Sequence, residues 1–238
     1  MDAEVQPHRS FEGVFQVFLE EKSPRLATLN LSPGRNVYGE RLVRISDAEY
    51  RLWDPFRSKL AGAILKGLKH LPIKLGSRVL YLGAASGTTA SHVSDIVGNN
   101  GYVYCVEFAP RSIRDLINNV CKYRGNMAPI LADARIPSQY SSIVQSVNAI
   151  YCDVAQPEQA KLLVSNARLF LEKEGWAMLA IKSRSIDVTM EPSEVYRQEI
   201  NVLKENGFVI SEVVRLEPYD KDHVLVVAKY MSRSQYIS

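Results

Sequence analysis

Three carboxylates stand at or just after apolar runs of this sequence, where a parallel sheet usually binds its ligand. They are Glu107, Asp133 and Asp153. Glu107 comes 24 positions after Gly83, a spacing that suits an acid accepting hydrogen bonds from the ribose hydroxyls of an adenosine. Each one alone is also compatible with a surface carboxylate at a strand end. Three such carboxylates after successive apolar runs, together with a glycine turn that precedes them, favour a binding site.

A turn of small residues between Gly83 and Gly87 precedes these carboxylates. It joins the apolar run 79–82 to a segment from Thr88 onward that can be helical, so backbone amides at the helix start can meet a polar ligand. Ala85 stands where a dinucleotide fingerprint has its second glycine, and no Gly-Lys-Ser/Thr follows. An ordinary glycine-rich turn is the alternative. The loop favours a nucleoside cofactor without phosphates, commonly S-adenosylmethionine, and disfavours an oxidoreductase.

The later polar residues fit the other parts of such a cofactor. Asp133 and Ala134 are expected to bracket the adenine edge, and residues 153–156 to flank the methionine moiety. Both assignments follow from the rule that ligands bind outside the carboxyl ends of parallel strands.

Two lysines and a histidine are candidates for the reacting end of the cofactor. Lys182 closes an apolar run, where burial or nearby cations would lower its pKa and a carboxylate would keep it charged. His223 opens the last apolar run, and Lys59 lies beside the stripe of a predicted helix. The alternatives are a lysine reaching to solvent, a surface histidine and a solvated helix face, respectively.

Composition indicates a globular chain of one large domain, or one domain with a small appendage. The 238 residues are 46% hydrophobic and contain no run of 18 apolar residues, so no transmembrane helix is predicted. Residues 1–10 lack the apolar region of a signal peptide. The three cysteines (Cys105, Cys121 and Cys152) lack metal-ligand spacing, which predicts buried free thiols and no metal site.

Basic residues are concentrated between Arg35 and Lys69. This stretch has eight basic and four acidic residues, 8 − 4 = +4, whereas the whole chain carries +3. A local basic excess suggests a polyanionic partner such as RNA, and a solvated surface is the alternative.

Apolar runs and helical patterns alternate from residue 78 onward. Strands are predicted at 78–82, 102–107, 128–131, 147–153, 176–182, 208–216 and 224–230, and helices at 88–97, 111–123, 157–170 and 193–206. No helical pattern separates the last two strands, which should pair antiparallel. We therefore predict an α/β fold with a doubly wound, mostly parallel sheet that ends in an antiparallel hairpin.

The first fifty residues show a different pattern. Alternating apolar positions at 11–19 and 27–31, separated by turn sequences, predict a small antiparallel β unit. Asp54 and Pro55 then predict the N-cap and first residue of a helix reaching about His70. Its buried stripe would be Phe56, Leu60, Ile64 and Leu68. We divide the chain into a β domain, 1–54, and a cofactor-binding domain, 55–238.

These stretches together resemble the fibrillarin family, in its short archaeal form. The matching segments are 53–61, 71–74, 79–89, 106–108, 133–135, 153–157, 181–182 and 222–223. The glycine loop and the Asp-Val-Ala-Gln sequence from Asp153 are the most specific. Ala90 stands where valine is usual, and Ser183-Arg184 after the lysine also departs from the pattern. Eukaryotic members carry an N-terminal Gly/Arg-rich tail that is not seen here, so a cytoplasmic archaeal protein is expected.

The resemblance implies a Rossmann-like methyltransferase that uses S-adenosylmethionine to methylate ribose 2′-hydroxyls of ribosomal RNA and transfer RNA. It implies a catalytic tetrad of Lys59, Asp153, Lys182 and His223. Cofactor contacts carry over to Thr88, Thr89, Glu107, Phe108, Asp133, Ala134, Asp153 and Gln156, and the backbone argument adds Gly83. The implied partners are a box C/D guide RNA with its substrate RNA, a Nop-type scaffold protein and a kink-turn-binding ribosomal-type protein, with no membrane.

Two other classes stay open at this point. One is a methyltransferase acting on a base, a protein or a small molecule, although residues 153–156 stand where a base methylator would usually have Asn/Asp-Pro-Pro-aromatic. The other is a non-catalytic RNA-assembly protein that has kept the fold, against which the presence of Asp153 and Lys182 argues.

Overall fold

The computed structural model describes residues 4–19 and 23–231, and its strands form two sheets. The smaller one is antiparallel throughout, in the order β1-β2-β3-β5-β4. Its strands are β1 (Glu4–Pro7), β2 (Val14–Phe18), β3 (Arg25–Leu29), β4 (Leu42–Ile45) and β5 (Ala48–Leu52). The predicted N-terminal β unit is confirmed.

The larger sheet has seven strands in the order β11-β12-β10-β9-β6-β7-β8. They are β6 (Arg78–Leu82), β7 (Tyr102–Glu107), β8 (Met127–Leu131), β9 (Val147–Cys152), β10 (Leu171–Lys182), β11 (Phe208–Arg215) and β12 (His223–Tyr230). Strands β6 to β10 run parallel, and β12 pairs antiparallel with both β10 and β11. The predicted mostly parallel sheet with a final antiparallel hairpin is confirmed.

Helices cover both faces of this sheet. They are α1 (Lys59–Leu65), α2 (Thr88–Val97), α3 (Pro110–Asn119), α4 (Gln159–Phe170), α5 (Ser183–Ile186) and α6 (Pro192–Glu205). Because both faces are covered, the central strands are continuous apolar runs, and Leu80 and Ile150 are fully buried. Within the described residues, no helix is long and apolar enough to cross a membrane.

The order of strands creates a switch point between β6 and β9. From β6 the chain adds β7 and β8 on one side, and it then returns to add β9 and β10 on the other. The loops after β6 and β9 therefore leave the sheet in opposite directions and open a crevice at its carboxyl edge. The candidate site lies there.

The helix predicted to begin at Pro55, with Asp54 as its N-cap, and to reach about His70 spans only Lys59–Leu65, so that prediction was wrong at both ends. Ser58 is the N-cap, and its hydroxyl accepts a hydrogen bond from the Ala61 N–H at 3.4 Å. The Asp54 carboxylate accepts the Phe56 N–H at 2.9 Å. This local side-chain hydrogen bond holds the segment in a turn that competes with helix formation. Phe56 is consequently exposed, whereas the rest of the predicted stripe is buried.

A buried polar network joins the smaller sheet to α2. Arg51 of β5 is fully buried, and its guanidinium lies 2.7 Å from Glu40 and 2.8 Å from Asp95 of α2. His92 of α2 contacts the Thr28 hydroxyl at 2.8 Å through Nδ1. Burial and two nearby arginines lower the pKa of His92 well below its ordinary value. The smaller sheet thus packs against α2, which in turn covers the larger sheet, and the domain division at residue 54 stays a prediction.

Candidate active site

A cavity of about 240 Å³ lies at the switch point of the larger sheet. It is lined by residues from the loops after the four neighbouring strands β6, β7, β8 and β9, by the last two residues of β7, and by one residue each from α4 and the end of β10. The lining residues are Gly83, Ala85, Val106, Glu107, Phe108, Ala132, Asp133, Ala134, Asp153, Val154, Ala155, Gln156, Leu162 and Lys182. Eight of the predicted site residues (Gly83, Glu107, Phe108, Asp133, Ala134, Asp153, Gln156 and Lys182) therefore line a single cavity.

Gly83 allows the loops after β6 and β9 to touch. Its φ is +83°, and a Cβ there would lie 2.5 Å from the carbonyl oxygen of Asp153. The Asp153 N–H in turn donates to the carbonyl oxygen of Leu82 at 2.9 Å. Any side chain at Gly83 would push the two loops apart, so the glycine is required by this close approach.

The Glu107 carboxylate is fixed by backbone hydrogen bonds. One oxygen accepts the Ala85 N–H at 2.8 Å, and the other accepts the Ala109 N–H at 2.9 Å. Each carboxylate oxygen has a second lone pair, and Glu107 lines the cavity. The carboxylate can therefore accept two hydroxyl hydrogen bonds from a ligand without rearrangement.

The far side of the cavity combines an exposed ring with a paired carboxylate. Phe108 is 64% exposed although it is large and apolar, as expected for a ring that a flat ligand can cover. The Asp133 carboxylate accepts hydrogen bonds from the Arg135 guanidinium at 2.9 and 3.0 Å. These hydrogen bonds lower the pKa of Asp133, so the carboxylate stays ionised beside the cavity.

Thr88 and Thr89 are not part of this lining. Thr89 is buried, and its hydroxyl donates to the Ser58 hydroxyl at 3.0 Å. Since Ser58 caps α1, this contact ties the start of α1, and with it Lys59, to α2. Cofactor contact by Thr88 and Thr89 stays a prediction.

The four residues of the predicted tetrad converge although they come from separate elements. The Lys182 ammonium lies 2.8 Å from Asp153 Oδ1, and the Lys59 ammonium lies 3.4 Å from the same oxygen. His223 is the direct cross-strand partner of Lys182 in the β10–β12 ladder. Asp153 and Lys182 also line the cavity, so the ion-paired cluster borders the space available to a ligand.

Asp220 connects the two ends of this cluster, and the sequence analysis did not single it out. Its carboxylate lies 3.3 Å from the Lys59 ammonium and 3.0 Å from His223 Nδ1. The sequence does place this carboxylate three residues before His223, but residues 220–223 have the composition of a charged surface turn, which hides its role. The contacts therefore run from Lys182 through Asp153, Lys59 and Asp220 to His223.

Burial and charge act in opposite directions on the central pair. Burial lowers the pKa of Lys59, but the carboxylates of Asp153 and Asp220 outweigh it, and the net pKa is raised. Burial raises the pKa of Asp220, but His223 and Lys59 outweigh it, and the net pKa is lowered. Both groups are therefore charged at neutral pH.

The hydrogen bonds of His223 define its tautomer. Nδ1 lies 2.5 Å from the carbonyl oxygen of Lys221 and 3.0 Å from the Asp220 carboxylate. Both partners are acceptors, so the proton of a neutral imidazole is assigned to Nδ1. Nε2 is then left as an acceptor.

Gln159 is a second residue that sequence reasoning missed. It is fully buried; its amide nitrogen donates to the carbonyl oxygen of Val154 at 2.7 Å, and its amide oxygen accepts the Lys182 N–H at 3.0 Å. Gln159 thereby fixes the end of β10 relative to the loop after Asp153. A glutamine at the start of a helix carries no distinctive sequence signal, because its role depends on two distant backbone groups.

Two comparisons of the sequence with known proteins point to the same family. Residues 5–232 match the family model described as Fibrillarin. A curated relative, the fibrillarin-like rRNA/tRNA 2′-O-methyltransferase of Sulfolobus acidocaldarius, is 57% identical over 220 residues, which are 92% of this chain and 95% of the relative.

Two solved structures extend the likeness to three dimensions. Aeropyrum pernix fibrillarin, crystallised with natively bound S-adenosyl-L-methionine, is 55% identical with a TM-score of 0.89, covering 94% of this chain and 97% of that one. A fibrillarin from a complex with Nop5p is 41% identical with a TM-score of 0.79, covering 93% and 98%.

Proposed function

This chain belongs to the fibrillarin family, and we propose from that membership that it methylates ribose 2′-hydroxyls of ribosomal RNA and transfer RNA at sites chosen by a guide RNA. The methyl donor is S-adenosylmethionine. The protein acts as the catalytic subunit of a box C/D ribonucleoprotein, with a Nop-type scaffold protein and a kink-turn-binding ribosomal-type protein. A relative solved with Nop5p supports the scaffold. Guide RNA, the kink-turn-binding protein and cytoplasmic localisation stay predictions of the family resemblance.

The single observation that carries the proposal is the contact between the cavity and the charged cluster. Residues with the chemistry to hold an adenosyl group line the cavity, and Asp153 and Lys182 belong to both lining and cluster. A relative that is 55% identical was solved with S-adenosyl-L-methionine bound.

The residues of the cavity fit S-adenosylmethionine part by part. Glu107 presents two oriented carboxylate oxygens to a ribose, and Phe108 presents an exposed ring to an adenine. Gly83 lets the loops after β6 and β9 meet at one wall of the cavity, because a Cβ there would collide with the Asp153 carbonyl oxygen. Asp153 and Gln156 follow β9 on the other side of the cavity, where the methionine moiety is expected.

S-adenosylmethionine, when bound, supplies a methyl group on a sulfonium centre. Lys182 and Lys59 lie beside Asp153 as ammonium groups, and we assign them to stabilise negative charge developing on the ribose 2′-oxygen. Fixed charges aimed at a developing oxyanion are worth about 10²- to 10³-fold in rate. Asp153 holds the two lysines together and offsets their charge.

His223 is the group of the cluster best suited to accept the 2′-hydroxyl proton. Its Nδ1 is engaged by Asp220 and the Lys221 carbonyl group, so Nε2 of the neutral ring carries the lone pair that can accept a proton. Lys59 cannot take this role at neutral pH, because its pKa is raised. A positioned general base adds on the order of 10² to 10⁴ in rate.

Target selection by a guide RNA would leave the reading of the base sequence to RNA pairing. Ribose hydroxyls of an A-form duplex can be reached from the wide minor groove without extruding a base. Pairing between guide and target would supply the sequence, while the protein would recognise duplex shape and the sugar.

The decisive experiment reconstitutes the protein with a guide RNA, a Nop-type scaffold and a kink-turn-binding protein, and maps ribose methylation on a matched RNA. Methylation at the single guided position is expected, and it should move when the guide sequence is changed. Methylation of bases, or at positions that do not follow the guide, would contradict the proposal. A protein that fails to bind S-adenosylmethionine in calorimetry would point to a non-catalytic assembly role.

A further inference from the structure

The turn before β12 contains one residue in the left-handed backbone conformation. Asp222, which directly precedes His223, has a φ of +58°. Residues other than glycine adopt this region infrequently, although aspartate and asparagine do so more readily than most. A residue keeps such a conformation when the surrounding structure holds it there. The contacts around Asp222 therefore determine whether the turn keeps its shape.

Ser183 binds the carbonyl group of Asp222. It directly follows Lys182 and is fully buried. Its N–H donates to the Asp222 carbonyl oxygen at 3.3 Å, and its hydroxyl donates to the same oxygen at 3.1 Å. Ser183 is also the first residue of α5, where N–H groups have no partner within the helix. The two hydrogen bonds thereby fasten the turn to the end of β10.

The side chain of Asp222 makes a weaker contact at the surface. Its carboxylate lies 3.3 Å from Arg184 Nε, and the Arg184 side chain is 51% exposed. Exposed ion pairs of this kind contribute little to stability. The turn is therefore held through the backbone carbonyl group of Asp222 and the two donors of Ser183.

The conformation of Asp222 fixes the surroundings of the His223 ring. The Lys221 carbonyl oxygen lies 2.5 Å from Nδ1 and the Asp220 carboxylate lies 3.0 Å from it. Both groups precede Asp222 in the chain, so the backbone angles of Asp222 set their position relative to the imidazole. Pairing with Lys182 across the β10–β12 ladder holds the His223 backbone from the other side. Ser183 therefore joins the two parts of the structure that orient this ring.

Resting on the proposed function, we infer that Ser183 is a positioning residue for the proton-accepting step. By holding Asp222 in the left-handed conformation, it keeps Nδ1 of His223 against its two acceptors. The hydrogen bond at one ring nitrogen determines the state of the other, so the neutral ring carries its proton on Nδ1 and a lone pair on Nε2. The proton of the ribose 2′-hydroxyl then moves to Nε2 and leaves an imidazolium. Ser183 does not line the cofactor cavity and acts through His223.

The first test measures the tautomer of His223 directly. Nitrogen-15 NMR of the full chain, labelled at its four histidines, distinguishes a ring protonated on Nδ1 from one protonated on Nε2. A spectrum of His223→Gln assigns the signal. The wild type should carry the proton on Nδ1. Asp222→Val, whose branched side chain disfavours positive φ, should shift the population toward Nε2, whereas Asp222→Gly, which adopts positive φ readily, should keep the wild-type tautomer.

The second test measures methylation by the reconstituted ribonucleoprotein. Ser183→Ala removes one neutral hydrogen bond and should lower kcat about fivefold with little change in KM, because ground-state binding of the RNA is not altered. Asp222→Val should lower kcat about tenfold. Combining Ser183→Ala with Asp222→Gly should restore most of the lost rate, since a glycine keeps the left-handed conformation without the Ser183 hydroxyl.

Two control variants make the same chemical changes away from the cluster. Ser141→Ala removes an exposed hydroxyl that donates to the Ser138 carbonyl oxygen at 3.0 Å. Glu174→Val places a branched side chain at a φ of +63°, near the other end of β10 from Lys182. Both should retain the wild-type kcat. All variants should bind S-adenosylmethionine like the wild type, which shows that they are folded.

The outcomes separate this inference from the proposed function. An Nε2-protonated ring in the wild type, an unchanged tautomer in Asp222→Val or a full rate for Ser183→Ala would each overturn the inference. Loss of rate without a change of tautomer would do the same, because it would reflect a general structural effect. A wild-type complex that does not methylate ribose would overturn the proposed function, whatever the NMR spectra show.

Discussion

Lys182 and His223 face each other as cross-strand partners at the ends of β10 and β12. This pairing is fixed by seven consecutive register pairs in the same ladder, because a slip of one residue would turn every side chain of the strand to the opposite face. The regular hydrogen bonding of the sheet therefore positions two groups with different proposed roles. The Lys182 ammonium would stabilise an oxyanion, and His223 would accept a proton. The remaining members reach this pair from loops and from α1.

Replacement of Lys182 tests the proposed transition-state role. Lys182→Ala should bind S-adenosylmethionine with near wild-type affinity and lose methyl transfer by about 10²-fold or more, because the ammonium acts on the developing charge. Calorimetry and single-turnover methylation measure the two effects. Lys161→Ala, at an exposed position of α4, is the matched control. Normal turnover by Lys182→Ala would remove this residue from the mechanism.

Replacement of Asp220 tests the link between Lys59 and His223. Asp220→Asn should lower kcat by about tenfold and change the pH–rate profile, because Lys59 loses one of two carboxylates and Nδ1 of His223 loses an anionic partner. Asp220→Glu should restore part of the rate. The control is Asp222→Asn, since Asp222 pairs with exposed Arg184 at the surface. Equal losses for the two asparagine variants would argue against a specific role.

Glu107→Gln tests the proposed ribose contact. The amide nitrogen is a donor only, so on that side the variant could accept neither the backbone N–H that the carboxylate accepts nor a hydrogen bond from a ribose hydroxyl. Such a loss has an effect of about 1–3 kcal/mol. We expect the dissociation constant for S-adenosylmethionine, measured by calorimetry, to rise by roughly ten- to a hundredfold. Glu205→Gln, exposed at the end of α6, should leave it unchanged.

The buried His92 predicts a loss of stability at acidic pH. Its pKa in the folded protein lies well below 6.5, so below that pH the unfolded chain binds a proton that the folded chain does not. The free energy of unfolding should therefore fall as the pH is lowered from about 7 to 5, by at most about 1.4 kcal/mol per pH unit from this group. Urea denaturation at several pH values measures the slope.

His92→Gln supplies the comparison for this prediction. The variant should be less stable at pH 8, since it loses the stacking of the imidazole on Trp53 and its hydrogen bond with the Tyr38 hydroxyl group. Its stability should nevertheless depend less on pH below 6.5 than that of the wild type. Parallel pH profiles for the two proteins would show that His92 does not titrate in this range.

Strand positions could be predicted because the local pattern and the tertiary environment agree. The central strands are buried on both faces, and such strands are apolar at every position. The N-terminus of α1 was predicted incorrectly because Asp54 uses its side chain to form a local turn, and this competes with the capping role that its position suggested. The Phe56 side chain was consequently assigned to the core, whereas it lies at the surface beside the cluster.

The sequence by itself determined the fold class, the glycine loop and the acids at the strand ends, because each depends on residues that are neighbours in the chain. It also contained the motifs on which the family resemblance rests, and that resemblance implied the catalytic tetrad. Only the tertiary structure decided that Asp220 bridges Lys59 and His223, that Gln159 fixes Lys182, and that Phe56 is exposed. These relations join residues from α1, α4 and the turn before β12, and no local pattern records the distance between side chains that packing brings together.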